Sequence, residues 1–200
     1  MESRQNILAK IENMFFRYGI KSVTMDDISR HLGISKKTLY QFVENKKDLI
    51  QQVFQKVIVE EKQAMRQIVT ESKDAIEEIV AIAEYVTQQL RQVSPQTLYD
   101  LQKYYRKSWQ MMEALHSQHT LGIIKANINR GISEGVYRQD INADIIAKLY
   151  VGKNSLLVDE DLFPLKEYST EQLFLQHIRY HIYGIASKDG LKLLEKYTNK

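Results

Sequence analysis

Two short amphipathic segments separated by a glycine lie between Thr24 and Asp48, and they restrict this part of the chain to a pair of steeply crossing helices. Thr24 can cap the first helix, because its hydroxyl can accept a hydrogen bond from the free amides of the first turn. Gly33 suits the left-handed backbone that commonly ends a helix, and Ser35 is of the type that caps the next one. The pattern therefore predicts a helix-turn-helix.

The second of these helices carries a polar face. Leu39 and Val43 are four residues apart and can pack inward, which leaves lysines, a threonine, a tyrosine and a glutamine outside. Such side chains suit phosphates and base edges in a DNA major groove better than a protein core. Lys46 and Lys47, in the first turn of the following helix, oppose the helix dipole unless a phosphate binds there. The predicted DNA-contacting residues are Thr24, Ser35, Lys36, Lys37, Thr38, Tyr40, Gln41 and Lys46.

Residues 7–49 resemble the DNA-binding domain of the TetR family of bacterial transcriptional regulators. The resemblance is carried by Phe15 and Gly19 and by the segments TMDDIS, HLGIS, KKTLYQF and NKKDL. Family members commonly have Tyr or His where this chain has Phe42, and Phe where it has Val43. Because a phenylalanine ring cannot donate a hydrogen bond, the phosphate contact expected at position 42 in relatives is not expected here.

Composition favours an all-α chain, since there are only two prolines and eight glycines in 200 residues and little β-type alternation. No apolar run approaches the roughly 18 residues of a membrane span, and no signal peptide precedes the first helix, so a cytoplasmic protein without a membrane partner is expected. The absence of cysteine excludes disulfides and thiol catalysis. Residues 1–50 hold nine Lys and Arg against six Asp and Glu, whereas residues 51–200 hold nineteen of each. The whole net charge of +3 therefore lies in the segment with the DNA motif, where a basic footprint is expected.

The length fits either one large domain or two small ones. We predict an N-terminal three-helix DNA-binding domain with the helix-turn-helix, residues 1–48, and a C-terminal helical ligand-binding and dimerisation domain, residues 49–200. Apolar spacing and breakers predict that the C-terminal helices cover residues 45–70, 73–93, 96–134, 142–158, 170–186 and 189–197. The third of these helices could break between His116 and Gly122.

The helices predicted at 142–158 and 170–186 are apolar over more than one face, and each therefore has two surfaces to bury. The resemblance implies that this helix pair forms a four-helix interface with a second copy of the chain, and the alternative is a thicker intramolecular core. A two-fold helix-turn-helix protein needs paired recognition helices, which favours a homodimer. The predicted centre of the dimer interface is Leu149, Lys153, Leu156, Phe174, Ile178 and Ile182.

Aromatic and methionine side chains cluster between residues 99 and 116. Small-molecule pockets are lined mainly by such groups, but aromatic residues at helical spacing more often fill a core, and both interpretations stay open from the residues alone. The resemblance implies that an inducer, a small-molecule effector of unidentified chemistry, binds in this region. The predicted ligand-binding residues are Tyr99, Tyr104, Tyr105, Trp109, Met112 and His116.

Two histidine pairs have spacings that metal ligands can have on a helix, His116 with His119 and His177 with His181. Spacing fixes no further carboxylate or cysteine beside either pair, so ordinary polar contacts are preferred and no metal or cofactor is predicted. The chain also lacks a Gly-rich phosphate loop, a nucleophile elbow and an HExxH motif. An enzyme is therefore not expected.

Together these observations predict a ligand-responsive transcriptional regulator, preferably a repressor. It would bind a palindromic double-stranded DNA operator as a homodimer and be released by a small-molecule inducer. Two alternatives remain: a nonspecific architectural DNA binder, and a helical small-molecule-binding protein without a DNA function. Sequence preference in a random-site selection separates the regulator from the architectural protein, and substitution of Lys37 and Tyr40 separates it from the carrier.

Overall fold

The computed structural model of the chain describes residues 4–164 and 166–198, except for the side chains of residues 111, 112, 115 and 116. These described residues form helices and connecting segments, and within them the only β-type pairing is an isolated bridge between Tyr137 and Ala186. The prediction of an all-α chain with an N-terminal helix-turn-helix is confirmed. The helices are α1 (Arg4–Tyr18), α2 (Met25–Leu32), α3 (Lys36–Leu39), α4 (Lys46–Glu71), α5 (Ala75–Gln92), α6 (Pro95–Tyr104), α7 (Arg106–Ser133), α8 (Ala143–Asn154), α9 (Thr170–Ile185) and α10 (Lys188–Thr198), with a single 3-10 turn at Leu156–Val158.

No helix in the described part of the chain is long and apolar enough to cross a membrane.

Two compact units divide the described residues. The N-terminal unit lies within Met1–Lys62 and Gln92–His116, and the C-terminal unit lies within Gln63–Arg91 and Ser117–Lys200. The predicted boundary between residues 48 and 49 therefore follows the end of the helix-turn-helix segment, while the compact N-terminal unit extends further and also includes α6.

The core of the N-terminal unit is built from the apolar stripes of its helices. α1 buries Ile7, Ile11, Met14 and Phe15, because apolar residues three and four apart share one helix face. Isoleucine, leucine, valine and phenylalanine side chains from the other helices complete this core, and they are Ile28, Leu39, Leu49, Ile50, Val53, Phe54 and Leu101. The helix-turn-helix thus rests on α1, α4 and α6.

The C-terminal unit has a separate core drawn from α5, α7, α8, α9 and α10. Its largest fully buried side chain is Tyr137, whose hydroxyl lies 3.1 Å from the carbonyl oxygen of Ala75 and 2.9 Å from Oδ1 of Asn127. The Tyr137–Ala186 bridge is flanked by a backbone hydrogen bond from the N–H of Arg138 to the carbonyl of Ile185 at 2.9 Å. The segment after α7 is in this way fixed to the end of α9.

The helix predicted at 96–134 is interrupted at Tyr105, not between His116 and Gly122. Tyr105 leaves the helical conformation at φ −124° and ψ 41°, although its N–H still donates to the carbonyl of Leu101 at 3.1 Å. Its ring packs against the core of the N-terminal unit. Neither proline nor glycine marks this position, so the break could not be read from breaker residues.

The helix predicted at 142–158 also ends earlier than expected. Asn142 caps it as predicted, accepting from the N–H groups of Asp144 and Ile145 at 3.0 and 3.1 Å. α8 then stops at Asn154, and Leu156–Val158 form the 3-10 turn. The acidic, proline-bearing segment that follows, expected as a loop, contains no helix in its described residues.

Candidate nucleic-acid interface

Helix α2 begins with a complete capping box. Thr24 Oγ1 accepts from the N–H of Asp27 at 3.1 Å, and the Asp27 carboxylate accepts from the N–H of Thr24 at 3.0 Å. The hydroxyl of Thr24 also donates to the same carboxylate at 2.6 Å. These bonds from Thr24 lower the pKa of the Asp27 carboxyl. The Thr24 hydroxyl is therefore engaged at the helix start, and its contact with DNA stays a prediction.

A glycine turn joins α2 to α3, as predicted. Gly33 has φ 67° and ψ 27°, in the left-handed region that favours glycine, and its N–H donates to the carbonyl of Arg30 at 3.2 Å. The N–H of Ile34 donates to the carbonyl of Ser29 at 3.1 Å. Two of the last carbonyls of α2 are thereby satisfied, and the chain turns sharply into the next helix.

Helix α3 is a single capped turn. Ser35 Oγ accepts from the N–H of Thr38 at 3.0 Å, and the two hydroxyl oxygens are 2.8 Å apart. After Leu39 the N–H of Gln41 bonds the carbonyl of Thr38 at 3.1 Å, and that of Phe42 bonds the carbonyl of Leu39 at 3.0 Å. These three-residue spacings tighten the chain, so Tyr40, Gln41 and Phe42 follow the helix as a turn.

The two sides of this segment differ as the sequence predicts. Leu39 and Val43 are buried, with 0% and 4% of their surface exposed. Lys37, Tyr40 and Gln41 are exposed, and their side chains make no hydrogen bond within the described residues. A lysine, a phenol and an amide are therefore presented together on one short segment, which is a combination suited to phosphates and base edges.

Lys36 is exposed but already paired. Its Nζ lies 2.9 Å from Oδ1 of Asp26, in the first turn of α2, and this hydrogen bond raises the pKa of Lys36. Both partners are about half exposed, and exposed ion pairs contribute little to stability. A phosphate could therefore replace Asp26 as the partner of Lys36 at small cost.

Phe42 is partly buried and packs against the core of the N-terminal unit. Its carbonyl accepts from Nε2 of Gln52 at 3.4 Å. The position where relatives commonly carry Tyr or His thus contributes an apolar ring to the fold.

The first turn of α4 holds two lysines with different surroundings. Asn45 caps this helix, since its Oδ1 accepts from the N–H groups of Lys47 and Asp48 at 2.9 and 3.1 Å. Lys46 is half-buried, and its Nζ donates to the carbonyl of Lys21 at 3.3 Å. Lys47 is exposed and was not among the predicted contacts.

The different exposure of Lys46 and Lys47 could have been predicted from their positions around the helix. Lys46 precedes the buried residues Leu49 and Ile50 by three and four positions, which places it on the same face of α4. Lys47 lies about 100° further round the helix, towards solvent. The exposed ammonium of Lys47 is therefore more accessible to a phosphate than that of Lys46, whose contact with DNA stays a prediction.

The predicted ligand-binding residues lie within the N-terminal unit. Tyr105 and Trp109 are partly buried and pack against its core, and burial raises the pKa of Tyr105. Tyr99 and Tyr104 form an edge-to-face pair with ring centroids 6.2 Å apart, and Lys103 lies beside both rings. The side chains of the other two predicted residues, Met112 and His116, lie outside the described residues. Tyr99, Tyr105 and Trp109 are therefore partly buried and Tyr104 is exposed, and their ligand-binding role stays a prediction.

The residues predicted at the dimer interface separate into two groups. Leu149 and Leu156 are 53% and 46% exposed, and Lys153 Nζ lies 4.6 Å from the centroid of the exposed ring of Tyr180. The remaining three are turned into the core of their own unit and are 4–6% exposed, namely Phe174, Ile178 and Ile182.

The part of Phe174, Ile178 and Ile182 in a dimer interface stays a prediction. The spacing of four residues does place them on one helix face, but that face packs within the C-terminal unit. Tyr180 and Tyr183 are exposed on the other side of α9, and Leu175 is exposed at the edge of the buried face.

His177 and His181 lie on either side of one tyrosine. Their ring centroids are each 4.7 Å from that of Tyr150, and burial lowers the pKa of both imidazoles to about 4. Among the described residues no group of three or more His, Cys, Asp or Glu is arranged to hold a metal ion. Both histidines are over nine-tenths buried. Their rings lie on α9 and contact the ring of Tyr150 on α8.

Comparison with known proteins agrees with this arrangement. The chain is similar to the uncharacterized HTH-type transcriptional regulator YvaF of Bacillus subtilis (strain 168), with 29% identity over 182 residues that cover 87% of this chain and 90% of that protein. A TetR-family transcriptional regulator from Agrobacterium tumefaciens has a similar fold, with a TM-score of 0.70 at 15% identity, covering 91% of this chain and 96% of that one.

A second solved structure is that of the transcriptional regulator FadR from Bacillus subtilis in complex with stearoyl-CoA, with a TM-score of 0.65 at 16% identity. It covers 92% of this chain and 100% of that one. All three similar proteins are described as transcriptional regulators. Residues 7–53, which form α1, the helix-turn-helix and the start of α4, match the model for bacterial regulatory proteins of the tetR family. Residues 7–53 are therefore similar to the DNA-binding segment of the TetR family of bacterial transcriptional regulators, and the chain as a whole is similar to regulators with a helix-turn-helix.

Proposed function

We propose that this protein is a ligand-responsive repressor that binds a palindromic operator as a homodimer and is released by a small-molecule inducer. The observation that carries the proposal is the exposed group of Lys37, Tyr40 and Gln41, which lies on the capped helix α3 and the turn that follows it. Its relatives are regulators, and the whole charge excess of the chain lies in the same segment.

The contacts with DNA are assigned by side-chain chemistry. Ser35, Lys36 and Thr38 lie at the start of α3 and supply hydroxyl and ammonium groups for phosphates. Lys37 and Gln41 have the reach and donors to pair with guanine and adenine edges in the major groove, and Tyr40 lies between them. Phosphate contacts would hold the register, and the lysine and glutamine would read the sequence.

The homodimer is supported by the exposed apolar side of α8 and α9. Ile145 and Leu149 are exposed one turn apart on α8, and Tyr180 and Tyr183 are exposed on α9. Exposed apolar residues clustered on two helices commonly mark a protein interface. A two-fold dimer would place two recognition helices about 34–36 Å apart, which corresponds to one turn of the operator.

The inducer is assigned to the region of Tyr99, Tyr104, Tyr105 and Trp109, together with Met112 and His116. Aromatic side chains with a few polar groups are the usual lining of small-molecule sites. The similar regulator FadR was solved with stearoyl-CoA, so a bulky apolar effector is a reasonable class to test first. A ligand that prefers the form with displaced recognition helices weakens DNA binding, and DNA weakens that ligand by the same factor.

Selection from a pool of random DNA duplexes tests the proposal. We expect an inverted repeat whose affinity falls steeply with salt. Lys37→Ala or Gln41→Ala should relax the preference at one position, at a cost of about 1–3 kcal/mol. Lys192→Ala removes the same charge from α10, far along the chain from the helix-turn-helix, and should change neither preference nor affinity.

Two other outcomes would contradict the proposal. Binding without any sequence preference would identify a nonspecific architectural protein. A protein that binds no duplex, and whose properties survive the Lys37→Ala and Tyr40→Ala double change, would be a small-molecule carrier.

A further inference from the structure

The backbone N–H and carbonyl of Lys21 form hydrogen bonds with side chains from two different helices, α6 and α4. Lys21 lies between α1 and α2, and its backbone N–H donates to Oδ2 of Asp100 on α6 at 2.6 Å. Its carbonyl accepts from Nζ of Lys46 on α4 at 3.3 Å. The side chain of Lys21 lies over the ring of Tyr104, with Nζ 4.1 Å from the centroid. Both the donor and the acceptor of Lys21 are thus used by side chains from other elements.

Asp100 is buried, and both oxygens of its carboxylate accept hydrogen bonds. Its side chain is fully buried, and its second oxygen accepts from Nε2 of Gln96 at 2.7 Å. A buried carboxylate is costly unless hydrogen bonds satisfy it, so the loop N–H is part of what allows Asp100 to be there. The loop approaches α6 closely at Gly19, where a Cβ would lie 2.8 Å from Cγ of Gln96 and 3.2 Å from Oδ2 of Asp100. Gly19 also has φ +82°, so only glycine fits both the conformation and the gap.

Lys46 completes the contact from the other side. Burial lowers its pKa, and the carboxylates of Asp100 and Asp27 oppose that shift. Two acidic groups therefore act on the ammonium electrostatically, one from α6 and one from the capping box of α2. This environment differs from that of Lys47, which is exposed at the next position.

We propose that Asp100 and Lys46 are positioning residues that clamp the Lys21 peptide groups and so fix the helix-turn-helix for DNA recognition. The inference rests on the proposed function. Lys21 precedes Thr24, the cap of α2, by three residues, and α2 is joined to α3 by only Gly33, Ile34 and Ser35. Ile20 and Val23 anchor the loop by their buried side chains, and the clamp fixes the backbone between them. Lys46 then acts through the loop, and Lys47 is the phosphate contact of this turn.

Salt dependence of operator binding separates the two lysines. Lys46→Met keeps the side-chain length and removes the ammonium, and we expect affinity to fall about tenfold, the size of one lost charge-assisted hydrogen bond, with a salt slope parallel to that of the native protein. Lys47→Met should reduce the slope by about one unit, as the loss of a phosphate contact does. A Lys46→Met protein with the flattened slope would overturn the assignment of Lys46.

The role of Asp100 is tested against a matched residue on the same helix. Thr97 is also fully buried, and its hydroxyl donates to the carbonyl of Phe15 at 2.6 Å, at the end of α1 and not in the loop. Asp100→Leu should weaken operator binding about tenfold. Thr97→Val should leave operator binding within about twofold of the native value, even where it lowers the melting temperature by as much as Asp100→Leu does. Asp100→Asn retains an acceptor once the Gln96 amide turns, and it should recover most of the affinity. Equal effects of Asp100→Leu and Thr97→Val would reduce Asp100 to a stabilising role.

The hydrogen-exchange rate of the Lys21 amide, measured in the free protein, tests the clamp without DNA. The amide of Lys21 and its loop neighbours should exchange at least about tenfold faster in Asp100→Leu than in Thr97→Val, because only the first loses the acceptor. Unchanged exchange of Lys21 would overturn the clamp whatever the protein does with DNA. If Asp100→Leu does not fold, the salt slopes of Lys46→Met and Lys47→Met still test the clamp, through the hydrogen bond from Lys46 to the Lys21 carbonyl. If the random-site selection yields no operator, the proposed function is contradicted. The hydrogen exchange of Lys21 in the free protein still tests the clamp, because it is measured without DNA.

Discussion

Arg130 donates to Glu78 at 2.9 Å, and the carboxylate that it meets is only 2% exposed. The same guanidinium donates to Glu134 at 2.7 Å and to the carbonyl of Ser72 at 3.1 Å. A nearly buried carboxylate is thus balanced by an arginine that reaches it from α7. Within the C-terminal unit, Arg130 fixes the end of α7 to the segment that starts α5.

Arg130→Met should lower the free energy of unfolding by about 3–5 kcal/mol, because it leaves Glu78 buried without its partner. Urea denaturation followed by circular dichroism measures this loss. Changing Glu78→Leu as well removes both charges and should recover most of the stability. A double variant as unstable as Arg130→Met would contradict the proposed burial cost.

Gly131→Ala should destabilise the C-terminal unit by about 1–3 kcal/mol, since the added methyl overpacks a filled site. A Cβ at Gly131 would enter the ring of Tyr137, at 2.6 Å from Cγ, and that ring is fixed by its hydroxyl contacts with Ala75 and Asn127. Thermal melting measures the change.

The matched control is Gly122→Ala on the same helix, where a Cβ meets nothing within 4 Å. There the substitution should stabilise by about 0.5–1 kcal/mol, because alanine has the higher helix propensity. Stabilisation of both variants to the same extent would show that helix propensity, and not the Tyr137 contact, governs the effect.

Acid should destabilise the C-terminal unit through His177 and His181. Burial lowers the pKa of each to about 4 from an unfolded value of 6.5, so the unfolded chain binds more protons between these limits. Lys153 lowers both further, and His177 lowers that of His181. Stability is therefore fully present above about pH 6.5 and is lost as the pH falls to about 4.

The loss per histidine amounts to as much as about 3 kcal/mol. Unfolding free energies measured from pH 7 to 4 should follow this slope. His181→Gln cannot take up the proton, so its slope should be lower by the contribution of one group. Parallel curves for the two proteins would show that carboxylates alone cause the acid sensitivity.

The helix-turn-helix could be predicted because its determinants are local. Thr24, Gly33 and Ser35 act within three or four residues of their own positions, and each has the hydrogen bonds that its type predicts. The exposed and buried sides of the segment after Ser35 follow from the four-residue spacing of Leu39 and Val43. Caps and spacing therefore suffice where tertiary contacts do not compete.

Tertiary contacts decided the features that were not predicted. The break at Tyr105 depends on the core that receives its ring, and nothing in the neighbouring residues indicates it. The clamp on Lys21 joins residues 79 positions apart, so spacing along the chain carries no signal of it. Phe174, Ile178 and Ile182 share a face as predicted, but periodicity cannot tell which side of an apolar helix meets its own unit.

Disruption of the proposed dimer is expected from Leu149→Asp. Leu149 is 53% exposed on α8, so a carboxylate there should leave the fold intact and charge the apolar face. Each substitution occurs twice in a two-fold interface, and losses of about 2 kcal/mol per copy would weaken dimerisation roughly a thousandfold. Sedimentation velocity at micromolar concentration should then find a monomer. Val69→Asp, at a residue 40% exposed on α4, charges another part of the same unit and should remain dimeric. Because a palindrome is gripped by two linked recognition helices, the monomer should also lose operator affinity, and a dimeric Leu149→Asp protein would place the interface elsewhere.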